Sequence, residues 1–121
     1  MAKIVIANAF SINMLTQGQM LKFIPITDEG GFNPIDIVNS IINEADGFES
    51  IIGHPDTARV VGNMLGREVA CNRVSWTWPD NDTLLLVAQL TGPRLPEGAT
   101  TLPEGAVLKW WAVSPEEIIK D

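Results

Sequence analysis

Cysteine and histidine are both scarce in this chain of 121 residues, which holds one of each, Cys71 and His54. A lone cysteine excludes an intramolecular disulfide and a thiolate metal cluster within one chain, and it suits a reducing compartment. A lone histidine excludes a His-rich metal site, and no paired carboxylates stand at metal-binding spacing. Any chemistry is therefore expected to proceed without a metal or other cofactor. Basic residues are also few: 8 Lys and Arg face 15 Asp and Glu, for a formal net charge of -7. Non-specific binding to phosphates draws on a basic surface, so long nucleic acid is not an expected partner. A compact nucleotide stays compatible, because a few local donors can hold its phosphates whatever the total charge. Long apolar runs are missing too. Nothing approaches the roughly 18 consecutive apolar residues of a membrane span, and the N-terminus shows no secretory signal pattern. The expectation is a protein without membrane contact, in the cytoplasm of the cell that makes it, a host cell if the source is viral.

What is present reads as one α/β domain over residues 1–121, with a central mixed β-sheet of about five strands flanked by helices. The apolar fraction of 45% is ample for a core. Ile4, Val5 and Ile6 mark a buried strand over 3–7, which gives way to a polar turn and to Ser11, an N-cap residue ahead of a helical turn. A second strand is expected over 20–27, driven to a sheet edge by Pro25. Asn33 and Pro34 form a helix-start pair, and Ile35, Val38, Ile41, Ile42 and Ala45 then fall at helical spacing, with Gly47 as the stop. A short strand over 48–52 leads into Gly53-His54-Pro55 and a second helix that ends at Gly66. Residues 74–78 and 83–90 read as a hairpin around Pro79-Asp80-Asn81-Asp82. Residues 91–105 are rich in Pro and Gly and form a long loop carrying a short echo, Leu95-Pro96-Glu97-Gly98 and Leu102-Pro103-Glu104-Gly105. A last strand over 106–113 puts Trp110 and Trp111 on opposite faces, and a helical turn is expected from Ser114.

The stretch Ala7-Asn8-Ala9-Phe10-Ser11-Ile12-Asn13-Met14-Leu15 resembles the N-terminal signature of the viral type III anti-CRISPR ring nuclease family. Gly53-His54 ahead of a helix ending in Gly66, then Asn72-Arg73-Val74, Gln89 and Arg94-Leu95-Pro96-Glu97-Gly98, resemble later landmarks of that family in the same order. The resemblance spans most of the chain. It implies metal-independent cleavage of cyclic tetra-adenylate into linear di-adenylates with 2′,3′-cyclic phosphate ends, countering type III CRISPR signalling. It implies His54 as the catalytic histidine, Glu97 as its acidic helper, and Arg73 and Arg94 on phosphates or bases. Asn8, Ser11, Asn13, Thr57 and Gln89 would line the ligand cradle. Where relatives often carry a serine after the proline, this chain has Asp56, a carboxylate unhelpful near phosphates unless it caps the helix.

The residue chemistry suits that reaction. Each phosphodiester of the ring carries an adjacent ribose 2′-OH, so the nucleophile arrives with the substrate. The protein has to align the attack, stabilise charge on phosphate oxygens and protonate the leaving oxygen. An imidazole titrates near neutral pH and can supply the proton, and a histidine at a helix start lies beside backbone N–H groups that favour anions. Judged locally, without the resemblance, His54 reads as a surface residue or cap, Glu97 as a solvated turn residue and Ser11 as a cap, while Arg73 and Arg94 read equally as surface salt-bridge partners. The four tryptophans read as core and interface residues rather than stacking platforms. A ring of four identical nucleotides has two-fold symmetry, so a homodimer is the expected partner arrangement, with the 91–105 loop able to close as a lid. Two other readings compete: a non-catalytic cyclic-nucleotide sponge, and an acidic protein-interaction module with a vestigial pocket.

Overall fold

Strand β1 (Lys3–Ala7) buries Ile4, Val5, Ile6 and Ala7 without alternation, the pattern of a strand covered on both faces. Its position explains this. In the computed structural model, which describes residues 3–116 apart from 17 and 29, five strands form one mixed sheet in the order β2-β5-β4-β1-β3. β1 lies between β3 (Glu49–Ser50) and β4 (Thr83–Thr91), parallel to both. β5 (Val107–Glu116) runs antiparallel to β4 and to β2 (Met20–Ile26), which closes one edge of the sheet and carries Pro25 there, as its missing N–H requires.

Both α-helices cover one face of the sheet. Helix α1 (Pro34–Ala45) starts where the Asp36 N–H donates to Asn33 Oδ1 at 2.9 Å. It ends at Asp46, in the left-handed region at φ 62, a conformation that the short polar side chain of Asp tolerates, and then at Gly47, at φ 131, whose N–H donates to the Ile42 carbonyl at 3.1 Å. Val38 and Ile42 of α1, Ala58, Val61 and Leu65 of α2 (Pro55–Leu65), and Ile4, Ile6, Leu86, Ala88, Leu108 and Trp110 of the sheet make the larger core. Val5, Ala7, Leu85, Val87 and Val113 face the other way. They are covered by Trp78 and Ile51, with Phe10, Met14, Trp76 and Trp111 alongside. Trp110 and Trp111 therefore do serve opposite faces, as strand alternation demands.

Two expectations fail. The hairpin is absent: residues 74–78 form no strand, although Asp80 builds the turn, its Oδ1 accepting from the Asp82 N–H and Thr83 Oγ1, each at 2.9 Å. Both edges of β4 are already paired, with β1 and β5, so no edge is left for the preceding segment. Residues 67–82 instead run as an irregular strap that starts on the helix side, with Arg67 on Asn39 and Asn43 of α1 and Val69 against the larger core, and then lays Trp76 and Trp78 over the second face. The Asn72 N–H donates to the Ile52 carbonyl at 2.7 Å and the Trp78 N–H to that of Met14 at 2.8 Å, while the Trp78 indole reaches the Thr83 carbonyl at 3.0 Å. The second failure is the helical turn expected from Ser114, where β5 continues to Glu116; residue 117 lies outside the described residues.

Candidate functional site

The site forms beyond the carboxyl ends of the parallel strands β1 and β4, where open α/β sheets hold their ligands. Asn8 and Ala9 follow directly on β1, and Ala88, Gln89 and Leu90 lie near the carboxyl end of β4. Together with His54, Thr57, Arg94 and Leu95 they line a cavity of about 610 Å³. Arg94 is the one cation among these lining residues, and no carboxylate joins it. The local charge is thus opposite in sign to that of the whole chain.

His54 holds the N-cap position of α2 with extended backbone, φ -124 and ψ 122, yet its side chain makes no capping hydrogen bond. Pro55 occupies the first helical position, where its lack of an N–H costs nothing. The imidazole is exposed and free to face the cavity, beside the helix's positive end. Thr57, one turn into the helix, is buried but still contributes to the cavity wall.

The structure brings Asn8, His54, Thr57, Gln89 and Arg94 together and leaves Ser11, Asn13, Arg73 and Glu97 outside that cavity. Ser11 caps a 3-10 helical turn over Ile12–Met14, its Oγ accepting from the Asn13 backbone N–H at 3.3 Å, which engages the Ser11 hydroxyl in the polar turn after β1. Arg73 runs past the residue before the histidine: a Cβ at Gly53 would stand 3.2 Å from Arg73 Cγ, and glycine there lets the strap approach. Glu97 is exposed on a turn closed by the Ala99 N–H to the Pro96 carbonyl at 3.0 Å.

Sequence reasoning missed how that turn is held. Asp56 does not cap its helix. Its Oδ1 accepts from the Gly98 N–H at 3.2 Å and from Arg59 Nη1 at 3.1 Å. Arg59 Nη1 also donates to the Ala99 carbonyl at 3.4 Å, and Asn63 Nδ2 to that of Thr100 at 2.7 Å. These three residues fall at positions i, i+3 and i+7 of α2, one stripe of the helix. The Pro- and Gly-rich loop, read from composition as a mobile lid, is fastened along that stripe. The spacing itself was visible in the sequence; the partner segment was not.

A second, more apolar cavity of about 450 Å³ opens on the other face of the sheet, lined by Phe10, Phe23, Val87, Trp111 and Val113, and it shares Ala9 and Gln89 with the first. Among the described residues, no three His, Cys, Asp or Glu side chains cluster closely enough to hold a metal ion. No helix among them is long and apolar enough to cross a membrane.

A five-stranded mixed sheet with two helices on one face and a polar crevice at the carboxyl ends of its parallel strands defines a small α/β protein with a ligand-sized site. Comparison with known proteins narrows this. A model of the STIV B116-like family matches residues 4–110. The chain belongs to that family, the one its N-terminal and loop landmarks resemble. Among solved structures it is similar to B116 of Sulfolobus turreted icosahedral virus, with a TM-score of 0.68 and 22% identity over 93% of this chain and 99% of that one. At that identity the likeness establishes the shared fold. No curated protein matches the chain.

Proposed function

We propose that the protein is a ring nuclease that binds cyclic tetra-adenylate and opens it to linear di-adenylates ending in 2′,3′-cyclic phosphates. One observation carries the reading: a single cavity gathers an uncapped histidine at a helix N-terminus with Arg94, Gln89, Asn8 and Thr57, and no carboxylate intrudes. Such a set suits a phosphodiester. The N-terminal amides of α2 and the Arg94 guanidinium face the charge that grows on the non-bridging oxygens. The ribose 2′-oxygen attacks phosphorus, the bond from phosphorus to the 5′-oxygen breaks, and the His54 imidazolium gives its proton to that leaving oxygen. The 2′-OH proton passes to Glu97 or to water. Asn8, Ser11, Asn13, Thr57 and Gln89 hold the nucleosides, and Arg73 serves a neighbouring phosphate. A two-fold homodimer would present these groups twice to a four-membered ring, so that two cuts release two dinucleotides.

The test is incubation of the protein with cyclic tetra-adenylate in excess chelator, with chromatography of the products. Cleavage that falls by about 10²–10⁴-fold in His54→Ala, with binding retained, is the expected result. An intact ring after long incubation with the unaltered protein defeats the nuclease reading. One observation favours a non-catalytic sponge as the second reading: Glu97 does not line the cavity with His54. Tight binding of the ring without products selects it.

A further inference from the structure

We infer that Asp56 is a positioning residue, a latch that holds the Glu97 turn at the mouth of the site. The inference rests on the nuclease reading and adds to it a role for a side chain that the catalytic scheme leaves unused.

Asp56 stands two residues after His54, in the first turn of α2, and its carboxylate points away from the cavity toward the loop. It accepts the Gly98 N–H at 3.2 Å, across 42 residues of sequence. Gly98 is the neighbour of Glu97, and at φ 79 it takes the left-handed conformation that turns the chain there. One hydrogen bond therefore couples the backbone beside Glu97, the proposed proton acceptor, to a side chain two residues from the proposed histidine. Arg94, which lines the cavity, sits on the same loop just ahead of this turn.

The charge of Asp56 would repel a polyanionic ring if it stood free. It is instead balanced by Arg59 at 3.1 Å and by the N-terminal end of α2, and its side chain is only 15% exposed. The same carboxylate thus holds the loop and is kept electrostatically quiet toward phosphates. Arg59 and Asn63 continue the attachment at the Ala99 carbonyl, the last residue of the turn, and at Thr100 beyond it, whereas Asp56 holds the amide next to Glu97. The bond that fixes where Glu97 stands is the one from Gly98 to Asp56. Since small displacements of reacting groups cost large factors in rate, loss of this bond should act on turnover more than on ring binding.

The test compares single-turnover cleavage of cyclic tetra-adenylate, and ring affinity, in wild type, Asp56→Ala, Asp56→Asn and Glu97→Gln, with hydrogen exchange at the Gly98 amide as a readout that needs no activity. Asp56→Ala is expected to lower the cleavage rate by about 10-fold or more, to leave affinity within about threefold, and to speed Gly98 exchange. Asn keeps an acceptor oxygen, so Asp56→Asn should restore most of the rate and the protection. The double variant Asp56→Ala/Glu97→Gln should be no slower than Glu97→Gln, because the latch acts through that glutamate. Wild-type rate in Asp56→Ala overturns the latch while the nuclease reading stands. Equal loss in the Ala and Asn variants also overturns it, assigning the effect to charge. An inactive wild-type protein removes the nuclease reading, and the latch with it.

Discussion

The loop between β4 and β5 contains the same five residues twice, Leu-Pro-Glu-Gly-Ala, and the two copies fold alike but are used differently. In each, an alanine N–H returns to a proline carbonyl at 3.0 Å, from Ala99 to Pro96 and from Ala106 to Pro103. In each, the glycine after the glutamate is left-handed, at φ 79 for Gly98 and φ 85 for Gly105. These are turns with a positive φ at the third position, which the Pro-Glu-Gly sequence favours on its own. Their surroundings differ. The first turn leans on α2 through Asp56, beside the cavity. The second stands at the foot of β5, where its Gly105 carbonyl meets Gly92 at the other end of the loop, next to the Thr91↔Val107 pair that closes the sheet. Local sequence sets the shape of a turn, and what it does depends on the element it is pressed against.

The largest effect is expected at the base of the loop. A Cβ on Gly92 would lie 2.4 Å from the Gly105 carbonyl oxygen and 3.2 Å from Ala106 Cα, both backbone atoms that cannot swing aside, and Gly92 itself sits at φ 95. Gly92→Ala should cost about 3 kcal/mol or more, left-handed strain of about 1–2 kcal/mol plus the displacement of the strand start. Gly98→Ala, with nothing within 4 Å of its Cβ, should cost the strain alone. Urea unfolding midpoints of the two variants check this ordering. Equal midpoints would mean that the second turn is not the closure of the loop.

Next in size is the contrast between the two glutamates. Glu97→Gln should lower ring cleavage by about 10–10²-fold, or about 1.4–2.7 kcal/mol of barrier, whereas Glu104→Gln should leave it unchanged. Rates measured side by side at saturating ring decide it. Equal behaviour of the pair would strip Glu97 of its role, since the two are indistinguishable in their own turns.

How much of this was legible in the sequence follows the range of the interactions. β1, α1 and α2 are set by apolar periodicity and by caps a few residues away, and they stand where those signals put them. The Asp80 turn was equally readable, but the hairpin inferred from it was not, because a hairpin also needs a free strand edge. The edges of β4 are taken by β1, from the start of the chain, and by β5, from its end. The same distinction holds at the site. Asn8, His54, Thr57, Gln89 and Arg94, distant in sequence, share one cavity. The tie between Asp56 and Gly98 left no local trace, because each residue makes ordinary sense alone, one as a first-turn acid and the other as a turn glycine.

The smallest effect tests whether fastening the loop and positioning the turn are separable. Asn63 Nδ2 donates to the Thr100 carbonyl at 2.7 Å on an exposed stretch, so water can replace it. Asn63→Ala should cost about 0.5–1 kcal/mol, near the net worth of one ordinary hydrogen bond, seen as a fall of a few degrees in Tm. Asp56 still holds Gly98 in that variant, so ring cleavage should stay within about twofold of wild type, unlike the larger loss expected when Asp56 itself is cut back to Ala. If Asn63→Ala instead slowed cleavage as much as Asp56→Ala, the whole α2 stripe would act as one clamp and the turn at Gly98 would hold no special place in it.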